Sequence, residues 1–502
     1  MTRVLFIGLD AADRDLVRQL ADEGAMPVVR RLVDHGSRYD IVVPDAFYVG
    51  AVWPSFYTAT APTRHGRYCF NQYIPGSYKA RPVGPDIVPI APFWSALDAA
   101  GRRVVIFDVP KSRPVPLDHG IQVCDWGTHD PEGLGLATEP ESLGAEIVDR
   151  AGSEPVGPCD RVVRTPAGYR AFVRNLKVRI ATKETMVIRA MKKTAWDFVA
   201  VCFGDSHCVG HQCWHLHDVA HERHDPAIAA AVGDPVREIY GTLDASVGRL
   251  IEAAGPDCLV FLLCSHGMGR HYDGGHLMRD VLKRINRTLP FGRALDVQRV
   301  AYKDARYDPQ ADEIGIRFDE DGLPNAATVR SFLVPNNDAF VGIRLNLVGR
   351  ERYGRIEPAE ADAYSDALMT ALKTVTIGEG GPPAFDRVFR TEAAYPDRVL
   401  DDALPDIIAS WSRRAPYRAL YSPAFGTVEG DYVGVRTGDH RAGGRLFVTG
   451  AGIAPGARGE APIEAIGPTI CAALGVPLPG VDGKPLRLRR ARATAPASRA
   501  IA

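Results

Sequence analysis

The sequence has no run of the roughly 20 apolar residues that a membrane-spanning helix needs, so no membrane span is expected. It has no excess of charge either: 60 Lys and Arg stand against 61 Asp and Glu, for a formal net charge of −1. Such a balance offers no electrostatic footprint for nucleic acid or an anionic membrane, and neither is expected as a partner. Cysteines are few, nine in 502 residues. An odd number without framework spacing excludes a disulfide-stapled scaffold and fits a reducing compartment. Cys208, Cys213 and Cys264 are expected to be buried thiols packed as small hydrophobes. The opening "MTRVLFIGLDAADRD" carries only a six-residue apolar run before Asp10, short of the about 7–15 residues of a signal-peptide core. It reads as a strand, and the expected location is cytoplasmic. Internal repeats are missing, as is the Gly-Lys-Ser/Thr of a phosphate-cradling loop.

What is present describes an ordinary globular protein: 46% hydrophobic and 24% charged residues, in a chain long enough for several domains or one large sheet with insertions. "RVLFIGLD" (3–10) precedes the helical pattern "AADRDLVRQLADEG", and "FWSALDAAGRRVVIFDVP" (93–110) runs helix, Gly, strand. "WDFVAVCFGD" (196–205), "DCLVFLLCSHG" (257–267), "LPDIIASW" (404–411) and "GRLFVTGAGI" (444–453) add buried-type strands. Strands alternating with helices predict an α/β fold, a mostly parallel sheet with helices on both faces. Residues 1–115, 196–270 and 401–486 are expected to form its discontinuous core. Residues 116–195 and 271–400 do not alternate cleanly and are expected to be cap insertions, since structureless loops of that length are implausible. The basic tail 487–502 is expected to be disordered.

Polar residues cluster at strand ends. Asp10 ends the first strand, Asp205 and His207 the "DFVAVCF" strand, and Ser265 and His266 the "LVFLLC" strand, while His440 precedes "RLFVTG". In open α/β sheets ligands bind outside the carboxyl ends of the strands, so these residues converge on one edge. "HCVGHQCWHLHD" (207–218) adds four histidines in eleven positions, with His207, His211 and His215 at i, i+4, i+8. This spacing suits either a metal site or a polar helix face; the convergence with His266 and His440 favours metal.

The chain resembles the alkaline phosphatase superfamily, in its type I phosphodiesterase/nucleotide pyrophosphatase branch. The resemblance rests on "IGLD", "WPSFYTATAPTRHG" (53–66), "HCVGH" (207–211), "SHGMG" (265–269), "GDHRAGG" (438–444) and "GPTICAALGVPLPGVDGKPL", in the family's order over residues 3–486. It implies a two-metal phosphohydrolase, usually zinc-dependent, with a Thr or Ser nucleophile at a helix N-terminus. Asp10, His211, His266 and His440 stand at metal-ligand positions. His207 and Ser265 replace the family's two other aspartates. Counting from Thr58 and His65 puts Val49 at the nucleophile position; aligning Trp53-Pro54 puts Val52 there. Neither can attack phosphorus, and Ser55, just past Pro54, is the nearest substitute, expected close to a helix start where backbone N–H groups favour an anion.

One metal pocket then becomes His207, His211 and His440, a set suited to catalytic zinc. The other keeps Asp10 and His266 with Ser265 as a weak or indirect ligand. Zn²⁺ is expected, one or two ions, with Mn²⁺ as the alternative. His215 and His217 are expected to be structural or to orient a ligand imidazole. Lys111, His129 and His271 are candidates for meeting an anionic substrate group, and Asn346 and Arg350 for holding the cap. Together these residues imply a hydrolase of phosphodiester, phosphomonoester or related esters using a metal-activated water, with a small-molecule ester as substrate; a homo-oligomer is compatible with the sequence. The rival is a catalytically silent scaffold that kept the fold. A sulfatase is disfavoured because no C/S-x-P-x-R motif occurs near residues 48–66.

Overall fold

The computed structural model describes residues 2–84, 87–128, 135–291, 329–396, 403–450 and 452–489. A nine-stranded sheet runs through it. In spatial order its strands are Arg458–Pro462, Ser37–Val42, Gly444–Thr449, Cys258–Cys264, Arg3–Leu9, Phe198–Phe203, Val104–Phe107, Gly120–Cys124 and Ala137–Glu139. All neighbours pair in parallel except around Gly444–Thr449 and at the Ala137–Glu139 edge. The expected mostly parallel α/β fold is therefore observed.

Side-chain alternation along the central strands builds a core on each face. Val4 and Phe6 join Phe198 and Ala200 under helices Tyr48–Thr58, Phe93–Ala99 and Ile466–Ala473. Leu5, Ile7 and Leu9 join Val199 and Val201 under helices Arg14–Asp22, Pro166–Lys193, Asp205–His217 and Pro235–Ala254. Both faces being covered is why these strands read as continuous apolar runs. Among the described residues no helix is long and apolar enough to cross a membrane, and none of the nine cysteines, all buried, forms a disulfide.

Two placements differ from the sequence expectation. Residues 116–195 are not a cap: Gly120–Cys124 and Ala137–Glu139 extend the main sheet, and helix Pro166–Lys193 buries Tyr169, Leu176, Ile180 and Val187 on its face. Their polar connecting loops hid a short strand pair. Strand Ile407–Trp411 does not join the main sheet; it lies between Phe340–Leu345 and Phe385–Arg390 in a four-stranded antiparallel sheet with Ser331–Val334. An apolar β-branched run states that a strand is buried, not which sheet buries it. This second sheet packs on helices Gly275–Thr288 and Ala361–Lys373 around Ile343, Leu345, Ile407, Leu282, Ile285, Leu368 and Leu372. Asn346 ties it to a segment outside the cap, Tyr78 donating to Asn346 Oδ1 at 2.7 Å, whereas Arg350, also expected to hold the cap, stays within it, gripping Asp406 at 2.6 and 2.7 Å. Most of the basic tail, residues 490–502, lies outside the described residues.

Candidate metal centre

Three adjacent strands end at one point. Asp10 follows Arg3–Leu9, and its N–H continues the ladder to Phe203 O at 2.9 Å. Ser265 and His266 follow Cys258–Cys264, with Ser265 N–H on Leu9 O at 3.2 Å. Strand Phe198–Phe203 turns at Gly204 into helix Asp205–His217, which carries His207 and His211. His440 arrives on a short antiparallel ladder, Gly438–Arg441 on Gly267–Arg270, opposite Met268.

Close approach at this edge depends on glycines. A Cβ at Gly210 would lie 2.7 Å from Met268, and one at Gly438 would lie 2.2 Å from the Gly210 carbonyl. Their absence lets the helix close on the ladder, so that His211 Nδ1 reaches Gly438 O at 2.7 Å. A Cβ at Gly8 would meet the Trp53 ring at 2.6 Å; without it the indole crosses the strand and donates Nε1–H to Asp10 Oδ1 at 2.7 Å.

Hydrogen-bond partners fix the tautomers, because a carbonyl or carboxylate can only accept. His211 donates Nδ1–H to Gly438 O, and His207 donates Nδ1–H to Asp10 Oδ2 at 2.7 Å. Ser265 Oγ–H goes to Asp10 Oδ1 at 3.1 Å, and the same oxygen accepts Ala11 N–H at 3.1 Å. His266 Nδ1, 3.0 Å from Ser265 Oγ, must then donate, leaving Nε2 to accept from His440 Nδ1–H at 3.1 Å. The relay His440 to His266 to Ser265 to Asp10 thus turns the Nε2 lone pair of His440 outward.

All three imidazoles of His207, His211 and His440 present Nε2 lone pairs, and one nitrogen from each lies within 4.8 Å of the others. His207 Nε2 and His211 Nε2 are only 3.0 Å apart. Two nitrogen lone pairs at that distance call for a proton or a cation between them. Burial and then the neighbouring imidazoles His207, His211 and His266 hold His440 well below the ordinary histidine range, and burial lowers His266 as well, with Asp10 opposing. Neutral, buried imidazoles of fixed tautomer fit a divalent transition metal, zinc included.

The other sequence candidates scatter. Asp10 and His266 touch this centre but act on its edge: both Asp10 oxygens already take donors from Trp53, Ser265 and His207. Ser265, expected as a weak or indirect ligand, is the link between Asp10 and His266. Ser55 is not near a helix start; it sits two turns into Tyr48–Thr58, its Oγ 3.0 Å from His65 Nε2. Burial and then the Arg67 charge push that His65 down to about 3. The helix runs through Pro54 instead of beginning there, which is what misplaced Ser55. Val49 lies in the helix's first turn and lines a cleft of about 610 Å³ with His440, Asn336, Asp338 and Arg436. Val52 is buried in the core, whereas Val49 is only partly buried and faces the cleft that His440 lines.

Lys111 is buried, and its charge reaches His266, helping to lower it. His129 lies outside the described residues. His271 packs against Tyr432, ring centroids 4.4 Å apart, beside Asp273 and Asp439. His215 faces Thr437 Oγ1 at 3.0 Å and is pushed down to about 3, chiefly by burial; His217 pairs with Asp234 at 2.7 Å. Asp205 is taken by Arg179 at 2.9 Å. Sequence reasoning missed Trp53 as a partner of Asp10, and Asp273 and Asp439 altogether. The Asp-His doublet at 439–440, on a ladder strand, was the available signal for Asp439.

Buried histidines at the carboxyl edge of a mostly parallel sheet, beside a separate antiparallel sheet, are the arrangement of an alkaline phosphatase-like fold. Residues 4–424 match the type I phosphodiesterase / nucleotide pyrophosphatase family, and the chain belongs to it. Among solved structures it is similar to murine ectonucleotide pyrophosphatase/phosphodiesterase 5, at 11% identity and TM-score 0.50 over 96% of this chain and 98% of that one. The human counterpart gives 12% identity and 0.49 over 96% and 97%. Phosphonoacetate hydrolase from Sinorhizobium meliloti, in complex with phosphonoacetate, gives 14% identity and 0.48 over 89% of each chain. No curated protein matches the sequence.

Proposed function

We propose that the protein is a metal-dependent hydrolase of phosphodiesters, phosphomonoesters or related esters, acting on a small molecule in the cytoplasm, with Zn²⁺ or Mn²⁺ held by His207, His211 and His440. The observation that carries this is the convergence of three buried imidazoles whose tautomers are fixed by Asp10, Gly438 and the Ser265–His266 relay. When bound, the cation supplies Lewis-acid polarisation of a phosphoryl oxygen and acidification of water. The chain supplies the rest. Asp10 holds His207 in place and stabilises positive charge there. Trp53 and Ser265 hold Asp10 in turn, so the carboxylate does not rotate. Lys111 adds a positive charge near His266 that favours an anionic ester. Val49, where the family places a hydroxyl, gives no side-chain nucleophile, which leaves water to attack the ester directly.

The test combines metal analysis of chelator-free protein with hydrolysis of nitrophenyl phosphodiester and monoester substrates. Both metal and turnover are expected to fall together in His211→Ala. A wild-type protein that binds neither Zn²⁺ nor Mn²⁺ sinks the proposal. Val49 also favours a second reading, the silent scaffold; metal bound at full occupancy with no turnover on any ester would select it.

A further inference from the structure

A second group of ligating side chains sits away from the imidazole centre. His271, Asp273 and Asp439 bring one nitrogen and two carboxylate oxygens within 4.8 Å of one another. They are 9%, 7% and 1% exposed. Each acid has one oxygen engaged and one that is not. Asp273 Oδ1 accepts Gly275 N–H at 2.8 Å, while Oδ2 makes no hydrogen bond. Asp439 Oδ2 takes the Arg413 guanidinium, while Oδ1 makes none. His271 Nε2 is likewise without a hydrogen bond: it lies 3.1 Å from Asp273 Oδ2 but out of line for one. Three buried polar atoms aimed at one another and unsatisfied are costly, each on the order of 1–3 kcal/mol.

Charge points the same way. Asp273, Asp439 and the nearby Asp338 carboxylate face the Arg413 and Arg436 guanidiniums, so the acids outnumber the fixed cations around the site. Stacking on Tyr432 fixes the plane of the His271 ring.

We propose that His271, Asp273 and Asp439 form a further divalent-cation site, separate from His207, His211 and His440. One imidazole with two carboxylate oxygens suits Mn²⁺ or Zn²⁺ better than Ca²⁺, which favours six to eight oxygens. A cation there satisfies all three orphaned atoms and cancels the excess charge, with Arg413 bracing Asp439 from behind. Gly275, whose N–H holds Asp273, lines the same cleft as His440. The site therefore places positive charge at the wall of the substrate cleft. It rests on its own residues and does not depend on the imidazole centre being a catalytic site.

The experiment is equilibrium dialysis of the full-length, chelator-stripped protein against Mn²⁺ and, separately, Zn²⁺, read by elemental analysis, with electron paramagnetic resonance for bound Mn²⁺. One equivalent per chain is expected to survive in His211→Ala and to disappear in Asp273→Asn, while wild type and His211→Ala show matching Mn²⁺ spectra for that equivalent. Wild-type stoichiometry retained in Asp273→Asn overturns the site and leaves only a buried ion-pair network. Complete loss of metal in His211→Ala also overturns it. Should Asp273→Asn fail to fold, His271→Gln decides by the same readout. If instead His211→Ala loses nothing that wild type bound, it is the imidazole centre that fails, and this site stands.

Discussion

Ser265→Ala tests the relay most directly. The Ser265 hydroxyl makes three contacts at once: it donates to Asp10 Oδ1 at 3.1 Å, accepts Ala11 N–H at 3.1 Å and accepts His266 Nδ1–H at 3.0 Å. All four groups are buried. Removing the oxygen leaves the Ala11 and His266 donors without that acceptor, at about 1–3 kcal/mol for each donor left unsatisfied. Relaxation offsets part of this, so we expect the metal-free protein to lose about 2–4 kcal/mol in urea denaturation. The loss should be larger than for a surface serine, and it should carry a second signature. His266 is freed to take the other tautomer, which removes the acceptor from His440 Nδ1–H and disturbs the lone pair that His440 offers. Losing a partner that orients a ligand typically weakens metal binding 10–100-fold. Competition with a chromophoric zinc chelator measures that shift, and nitrogen-15 imidazole spectra report the tautomers. Unchanged zinc affinity together with unchanged His266 and His440 tautomers in Ser265→Ala would refute the relay.

Other substitutions separate structural from chemical roles. Ser55→Ala should leave metal binding and turnover nearly intact and cost about 1 kcal/mol through the lost His65 contact; abolished turnover with metal retained would restore Ser55 as a nucleophile. Gly8→Ala should destabilise by about 1–3 kcal/mol, because the added methyl meets both Trp53 at 2.6 Å and Cys202 Sγ at 2.7 Å, and metal affinity should fall as Trp53 leaves Asp10; a melting temperature equal to wild type would contradict the packing. Burial raises Glu464 from 4.5 to about 7. Its protonated form is favoured in the folded state, so the stability it allows is full below pH 4.5 and declines as pH rises to 7. Glu464→Gln should therefore gain about 1–2 kcal/mol at pH 8, after discounting for partial exposure, and nothing at pH 4; equal denaturation curves at pH 8 would exclude this.

Much of the candidate metal centre is legible in the sequence because the side chains it gathers sit where strands stop. "RVLFIGLD" and "LVFLLCSH" each end an apolar run in a polar residue, and the i, i+4 spacing of His207 and His211 survives folding unchanged. The relay is not legible. Nothing local marks Ser265 as a bridge; its role appears only once Asp10 and His266 stand on either side of its hydroxyl. Ser55 was misplaced because Pro commonly opens helices, whereas Pro54 lies inside one that Phe47 begins. The cap strand Ile407–Trp411 has the same apolar content as a main-sheet strand, and only long-range pairing assigns it. His271 and Asp273 share one segment and Asp439 lies on another far down the chain, so their meeting is a property of the ladder that joins the two.

That ladder has a further consequence. The chain leaves it at Arg270, runs through the antiparallel cap, and re-enters it at Gly438. The cap is thus hung from a clasp whose two halves sit directly beside His266 and His440. Whatever is inserted between residues 271 and 437 must begin and end at a fixed separation, set by four paired residues on each side. The same ladder carries His440 opposite Met268, so the entry and exit of the cap are fixed by the pairing that also positions this histidine. The cleft lined by Val49, Asn336 and His440 thus has one wall on each side of that pairing.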